Sequence, residues 1–144
     1  MKEISSEIEV NAPAERVWQV LSNFAAYPNW NPFIRGVAGR AKTDSQVALQ
    51  LQPPGGKAVA AKVRVTTVEA NRELCWRNSL WGIPHLVDAE HRFTIEAIDA
   101  QRCRFVQREA FGGLFVPMLT GLLGRFQRGY DEMNQALKIR AEKG

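Results

Sequence analysis

Residues Glu9 to Phe33 run EVNAPAERVWQVLSNFAAYPNWNPF. The stretch reads as a strand end, an amphipathic helix and an aromatic segment broken by prolines. Val17, Val20, Leu21 and Phe24 recur at helical spacing, so one helix face is built for burial. Pro13 suits the first turn, where a missing N–H costs nothing, and Asn11 is read as the cap. Glu15 suits the positive end of the helix. Tyr27, Pro28, Trp30, Pro32 and Phe33 then crowd together. Prolines stop the helix, and so dense an aromatic cluster does not suit a surface loop. The segment is expected to fold inward as a wall or lid.

Beyond this segment the period changes to two. Val47, Leu49 and Leu51 alternate with Ala48, Gln50 and Gln52. Pro53 to Lys57 is a turn by composition. Val59, Ala61, Val63 and Val65 alternate with Ala60, Lys62, Arg64 and Thr66. Leu74, Trp76, Asn78 and Leu80 alternate with Cys75, Arg77 and Ser79. Ala89, His91, Phe93 and Ile95 form a fourth run, and Phe105, Gln107, Glu109 and Phe111 a fifth. Such runs joined by short turns predict an antiparallel sheet with one wet face.

From Leu114 the period becomes helical. Leu119, Leu122, Leu123, Phe126, Tyr130, Met133 and Leu137 share one face. Gly112 and Gly113 break the strand, and Pro117 fits a first turn. One helix is expected over residues 115–140, and about 25 residues reach ~37 Å. Its apolar face needs the sheet as a partner. Gly121, Gly124 and Gly129 each weaken helix propensity by about 1 kcal/mol. They therefore point to close packing or to space beside the sheet.

The order of these pieces resembles a known family. The strand followed by A-P-x-E-x-V-W-x-V-L and Y-P-x-W-N-P-F is similar to the opening of START-like proteins. These belong to the superfamily of ring hydroxylases, polyketide cyclases and birch-pollen allergens, abbreviated SRPBCC. Glu73 to Trp76, Gly82 to Phe93, Arg104 to Gly112 and the long last helix continue the match. The resemblance implies an α+β helix-grip fold, with a curved antiparallel sheet wrapped around a long C-terminal helix. It also implies one START-like domain over residues 1–144. It leaves function open, because one hollow scaffold serves several activities.

Composition narrows the choices. The 144 residues suit one domain, and 45% hydrophobic content is ordinary for a globular chain. No apolar run approaches the ~20 residues of a membrane span. The charged, alternating N-terminus is not a signal peptide, so a cytoplasmic location is expected. Net charge is +4, but the basic residues are dispersed among acids, which argues against nucleic acid. Arg125, Arg128, Lys138, Arg140 and Lys143 along the last helix offer at most a weak attraction to anionic membranes, without insertion. Cys75 and Cys103 lack a CxxC spacing and read as free thiols. His85 and His91 are the only histidines, so a three-ligand metal site would need an unusual set. No metal or other cofactor is expected, and the chain is a monomer or a homodimer.

The candidate chemistry lies on the inward strand positions. A tight hairpin at Asp99–Gln101 allows a register with His91 opposite Glu109 and Phe93 opposite Gln107. A turn near Ile83–Pro84 would place Trp76 opposite His91. Trp76, His91 and Glu109 then form a row, close enough for a His–Glu hydrogen bond. The predicted cavity is lined by Trp76, Asn78, His91, Phe93, Gln107 and Glu109. Trp30 or Phe33 is expected at its rim, and Phe126 and Tyr130 are expected to face it from the helix. Trp81 is expected near its mouth. The His91–Glu109 pair has three readings: a mutually satisfied structural pair, a polar anchor for a ligand, or an acid–base couple. The first function expected is binding or transport of a small hydrophobic or amphipathic ligand, such as a lipid, polyketide or isoprenoid. The alternatives are a cyclase or dehydratase using His91 and Glu109, and an Hsp90-activator-like protein-interaction module.

Overall fold

The computed structural model describes residues 2–79 and 85–143. Its strands are β1 (Lys2–Val10), β2 (Ile34–Ala38), β3 (Gln46–Leu51), β4 (Val59–Glu69), β5 (Glu73–Ser79), β6 (Asp88–Asp99) and β7 (Arg102–Gly112). Its helices are α1 (Ala14–Ser22) and α2 (Thr120–Glu142). All seven strands form one antiparallel sheet in the order β1-β7-β6-β5-β4-β3-β2. The first two strands are therefore the two edges, and α1 spans the gap between them. The sheet is curved around α2, which packs on β1 and on α1. This is the helix-grip arrangement.

Alternation decides which side chains enter the core. Val47, Leu49, Val63, Leu74, Phe93, Ile95 and Phe105 are buried on the concave face. Cys75 departs from the alternation expected of it, since Leu74, Cys75 and Trp76 are all buried. On the outer face Cys75 pairs with Arg92 in the ladder. Arg92 is held there by Glu73 at 2.9 Å and Glu90 at 3.0 Å. Both cysteines are free.

The helices follow the apolar spacing, with two changes at their ends. Asn11 is not the cap of α1. Pro13 takes that position with extended backbone, and no side chain caps the helix. The Asn11 N–H instead donates to Glu142 Oε2 at 2.8 Å, tying the end of α2 to the end of β1. Arg16 completes that junction by donating to the carbonyls of Arg140 and Ala141 at 3.2 and 3.3 Å. A guanidinium on the last unpaired carbonyls of a helix also complements its dipole.

The last helix starts later than residue 115. Val116–Leu119 forms a separate tight turn with three-residue spacing, and α2 begins at Thr120. Pro117 lies in that turn, and Leu119 leaves helical geometry at ψ 14°. The helix then runs unbroken through Gly121 and Gly124. Nothing lies within 4 Å of where a Cβ would stand at either position. Gly129 differs, because an added Cβ would lie 2.4 Å from Phe33 Cδ1.

The aromatic segment does fold inward. Phe24–Asn29 forms a tight helical turn containing Pro28, with Phe24 and Tyr27 buried. The Tyr27 hydroxyl donates to the Leu21 carbonyl at 2.5 Å. Asn31 Oδ1 then accepts from the amides of Phe33 and Ile34, which turns the chain into β2.

Candidate functional site

The register on the concave face brings the polar candidates together. Trp76 pairs with His91 across β5 and β6, and His91 with Glu109 across β6 and β7. One step along, Leu74, Phe93, Gln107 and Ser6 form the next row. His91 is 3% exposed and Glu109 8%. The imidazole stacks on Phe93 with centroids 4.1 Å apart, and it meets the Tyr130 ring edge-on at 4.8 Å. Trp76 lies 5.8 Å away on the other side.

The expected His–Glu hydrogen bond is replaced by another. His91 Nδ1 and Glu109 Oε1 stand 3.6 Å apart, beyond ordinary bonding distance. His91 Nε2 instead bonds Gln107 Oε1 at 3.0 Å. Side chains directly opposed on a sheet run side by side. The ring therefore reaches diagonally for Gln107, whose amide is held from the helix side. Gln107 Nε2 donates to Asn134 Oδ1 at 2.7 Å and lies 3.4 Å from the Tyr130 carbonyl.

Burial governs the charge of the pair. Desolvation pushes the Glu109 carboxyl up to about 8. Desolvation also pulls the His91 imidazole down to about 3, opposed only partly by the bond to Gln107. At neutral pH both groups are uncharged, since loss of hydration outweighs their mutual attraction. A carboxylic acid O–H and a neutral imidazole stand side by side in an apolar wall. Such a pair can donate to one atom and accept from its neighbour.

The other candidates fall into two groups. Phe33, Phe126 and Tyr130 join the row. Phe33 meets Phe126 at 5.5 Å and Tyr130 at 5.3 Å, both edge-on. Trp30 packs on Tyr27 at 5.2 Å. Asn78 is half-buried opposite Ala89. Trp81 and the turn at Ile83–Pro84 lie outside the described residues.

None of the candidate residues lines either of two open cavities bordered by described residues. The larger, about 490 Å³, lies between the Phe24–Asn29 turn and the strands β2, β3 and β4. Phe24, Pro28, Val37, Leu49 and Ala61 supply apolar wall, and Lys62 borders it. The smaller, about 270 Å³, lies between the end of β7 and the start of α2, beside Phe111 and Leu123. The larger cavity was not foreseen from the sequence; its signal was the small residues Ala48, Ala60 and Ala61, which leave space in the strands that larger ones would fill. Phe24 separates it from the polar row: its ring borders the cavity and meets Trp76 at 6.2 Å. Among the described residues, no group of three His, Cys, Asp or Glu is placed to hold a metal ion.

Comparisons with known proteins agree with this architecture. Residues 1–142 match the family described as polyketide cyclase / dehydrase and lipid transport. A START superfamily protein from Mycobacterium smegmatis is 26% identical, with a TM-score of 0.75 over 98% of this chain and 97% of that one. The Zhui aromatase/cyclase from Streptomyces sp. R1128 is 18% identical, with a TM-score of 0.79 over 99% and 94%. A norcoclaurine synthase of Thalictrum is 16% identical, with a TM-score of 0.74 over 99% and 94%. No curated protein matches the sequence.

Proposed function

This chain belongs to the polyketide cyclase / dehydrase and lipid transport family, and from that premise we propose that it binds a small apolar or amphipathic molecule. The site is the cavity between the Phe24–Asn29 turn and β2–β4. One observation carries the reading: an open space of about 490 Å³, bordered mainly by apolar side chains, between the Phe24–Asn29 turn and the strands. That volume lies within the ~300–1,000 Å³ of small-molecule sites. Lipids, aromatic polyketides and isoprenoids are the matching classes. The His91–Glu109 pair supplies a polar end behind the Phe24–Trp76 contact, reached when the Phe24 ring turns aside. No described helix is long and apolar enough to cross a membrane, and a cytoplasmic carrier, monomeric or dimeric, fits this reading.

The test is titration with the fluorescent apolar probe 1-anilinonaphthalene-8-sulfonate, followed by displacement with oleate. Saturable enhancement that oleate reverses is expected, together with its loss in Ala61→Phe, which fills the cavity. Enhancement unchanged in a folded Ala61→Phe variant overturns the placement.

A second reading is catalytic, and the neutral acid–base pair favours it. Glu109 would protonate a carbonyl oxygen while His91 accepts a proton nearby, as cyclisation or dehydration requires. His91→Ala would then abolish turnover and leave probe binding intact.

A further inference from the structure

An unbroken hydrogen-bonded chain runs from buried His91 to the protein surface. His91 Nε2 bonds Gln107 Oε1 at 3.0 Å, and Gln107 Nε2 bonds Asn134 Oδ1 at 2.7 Å. Asn134 Nδ2 bonds Ser6 Oγ at 2.8 Å, and Ser6 Oγ bonds Asp131 Oδ1 at 2.5 Å. Gln107 and Asn134 are buried, Ser6 is half-buried and Asp131 is exposed. The chain joins four elements: β6, β7, α2 and β1.

The direction of each bond follows from its outer end. A carboxylate accepts and cannot donate. Ser6 must therefore give its proton to Asp131, leaving its oxygen to accept from Asn134. Asn134 then turns its NH2 outward and its carbonyl inward, where it accepts from Gln107. Gln107 in turn presents its carbonyl to the histidine. A carbonyl takes only a donor, so His91 Nε2 carries the hydrogen. The Tyr130 carbonyl, 3.4 Å from Gln107 Nε2, favours the same amide orientation.

We propose that Asp131 is a positioning residue, which fixes His91 as the Nε2–H tautomer through Ser6, Asn134 and Gln107 and so turns the Nδ1 lone pair toward Glu109. The opposite tautomer would present Nδ1–H at this point and leave the Glu109 carbonyl oxygen as the pair's only acceptor. With the tautomer fixed, the site offers one donor and one acceptor, 3.6 Å apart. That pattern selects a neutral hydroxyl-bearing head, such as a phenol, an enol or a β-hydroxycarbonyl. Its oxygen accepts from Glu109 and its hydrogen goes to His91. An anionic head would meet the Nδ1 lone pair in an apolar wall. This selectivity rests on the ligand-binding reading above, but the tautomer itself does not.

The experiment is long-range ¹H–¹⁵N NMR of the ligand-free protein at neutral pH, which reads each ring nitrogen as protonated or bare. Only two histidines are present, and exposed His85 serves as an internal reference. His91 is expected to show a protonated Nε2 and a bare Nδ1. Asp131→Lys replaces an acceptor with a donor and should reverse the chain, so the Nδ1–H form appears. Asp131→Glu keeps an acceptor and should retain the original pattern. Should Asp131→Lys fail to fold, Ser6→Ala cuts the chain and should mix the tautomers, while Ser6→Thr restores one. A bare Nε2 in the unmodified protein overturns the proposal. So does a His91 pattern unchanged in both Asp131→Lys and Ser6→Ala. A correct tautomer with no ligand uptake would instead sink the binding reading and leave this one standing.

Discussion

Phe33 occupies the space that a side chain at Gly129 would need. A Cβ there would lie 2.4 Å from Phe33 Cδ1 and 2.7 Å from Cε1. The ring cannot retreat, because it is buried between Phe126 and Tyr130. This contact brings the aromatic segment, and with it the wall of the cavity, against the last helix.

Gly129→Ala is therefore expected to destabilise the protein by about 1–3 kcal/mol through overpacking, despite a gain in helix propensity. Gly124→Ala is the matched control, since nothing lies within 4 Å of its Cβ position. It should stabilise by up to about 1 kcal/mol. Urea unfolding of the two variants checks both signs. Equal effects would mean that Phe33 yields freely.

Acidity should report the buried pair. Glu109 is raised from 4.5 to about 8, so the folded state holds a proton that the unfolded chain releases. Its contribution is fully present below pH 4.5 and is lost as pH rises towards 8. His91 is lowered from 6.5 to about 3, so its contribution is present above pH 6.5 and lost as pH falls. The two slopes cancel between pH 4.5 and 6.5. Stability from this pair should be level from about pH 4.5 to 6.5 and decline on either side, by at most ~1.4 kcal/mol per pH unit. In Glu109→Gln the alkaline decline between pH 6.5 and 8 should vanish. Urea midpoints across pH 5 to 9 test this, and an unchanged alkaline limb in the variant counts against a neutral Glu109.

The Arg16 junction gives a third test. Arg16→Ala removes both donors to the final carbonyls of α2 and should cost about 1–2 kcal/mol. Amide exchange should quicken in residues 137–142 before it quickens in β6 or β7. Uniform acceleration across the sheet would show that the junction does not act locally.

The His91–Glu109 row was legible in the sequence because little sets it. The hairpin at Asp99–Arg102 is short, alternation fixes parity, and only a few registers remain. The helix-grip frame was legible for the same reason, from runs of period two followed by a helical period. The partner of His91 was not, because Gln107 is oriented by Asn134, far along the chain on α2. The start of α2 depended on whether Pro117 continued a helix or ended a separate turn, and both suit the same residues. The larger cavity was hidden more thoroughly. It is defined by what Val37, Leu49 and Ala61 leave unfilled once three strands and a distant turn have come together. Alternation marks such positions as inward and says nothing of the volume left over.

Native mass spectrometry of the protein as purified, and after incubation with oleate and with a phenolic polyketide, tests the central claim most directly. One noncovalently bound small molecule per chain is expected, retained at gentle activation and absent from Ala61→Phe. A chain that stays bare under every condition, or an adduct that persists undiminished in folded Ala61→Phe, contradicts a ligand in the cavity between the Phe24–Asn29 turn and β2–β4.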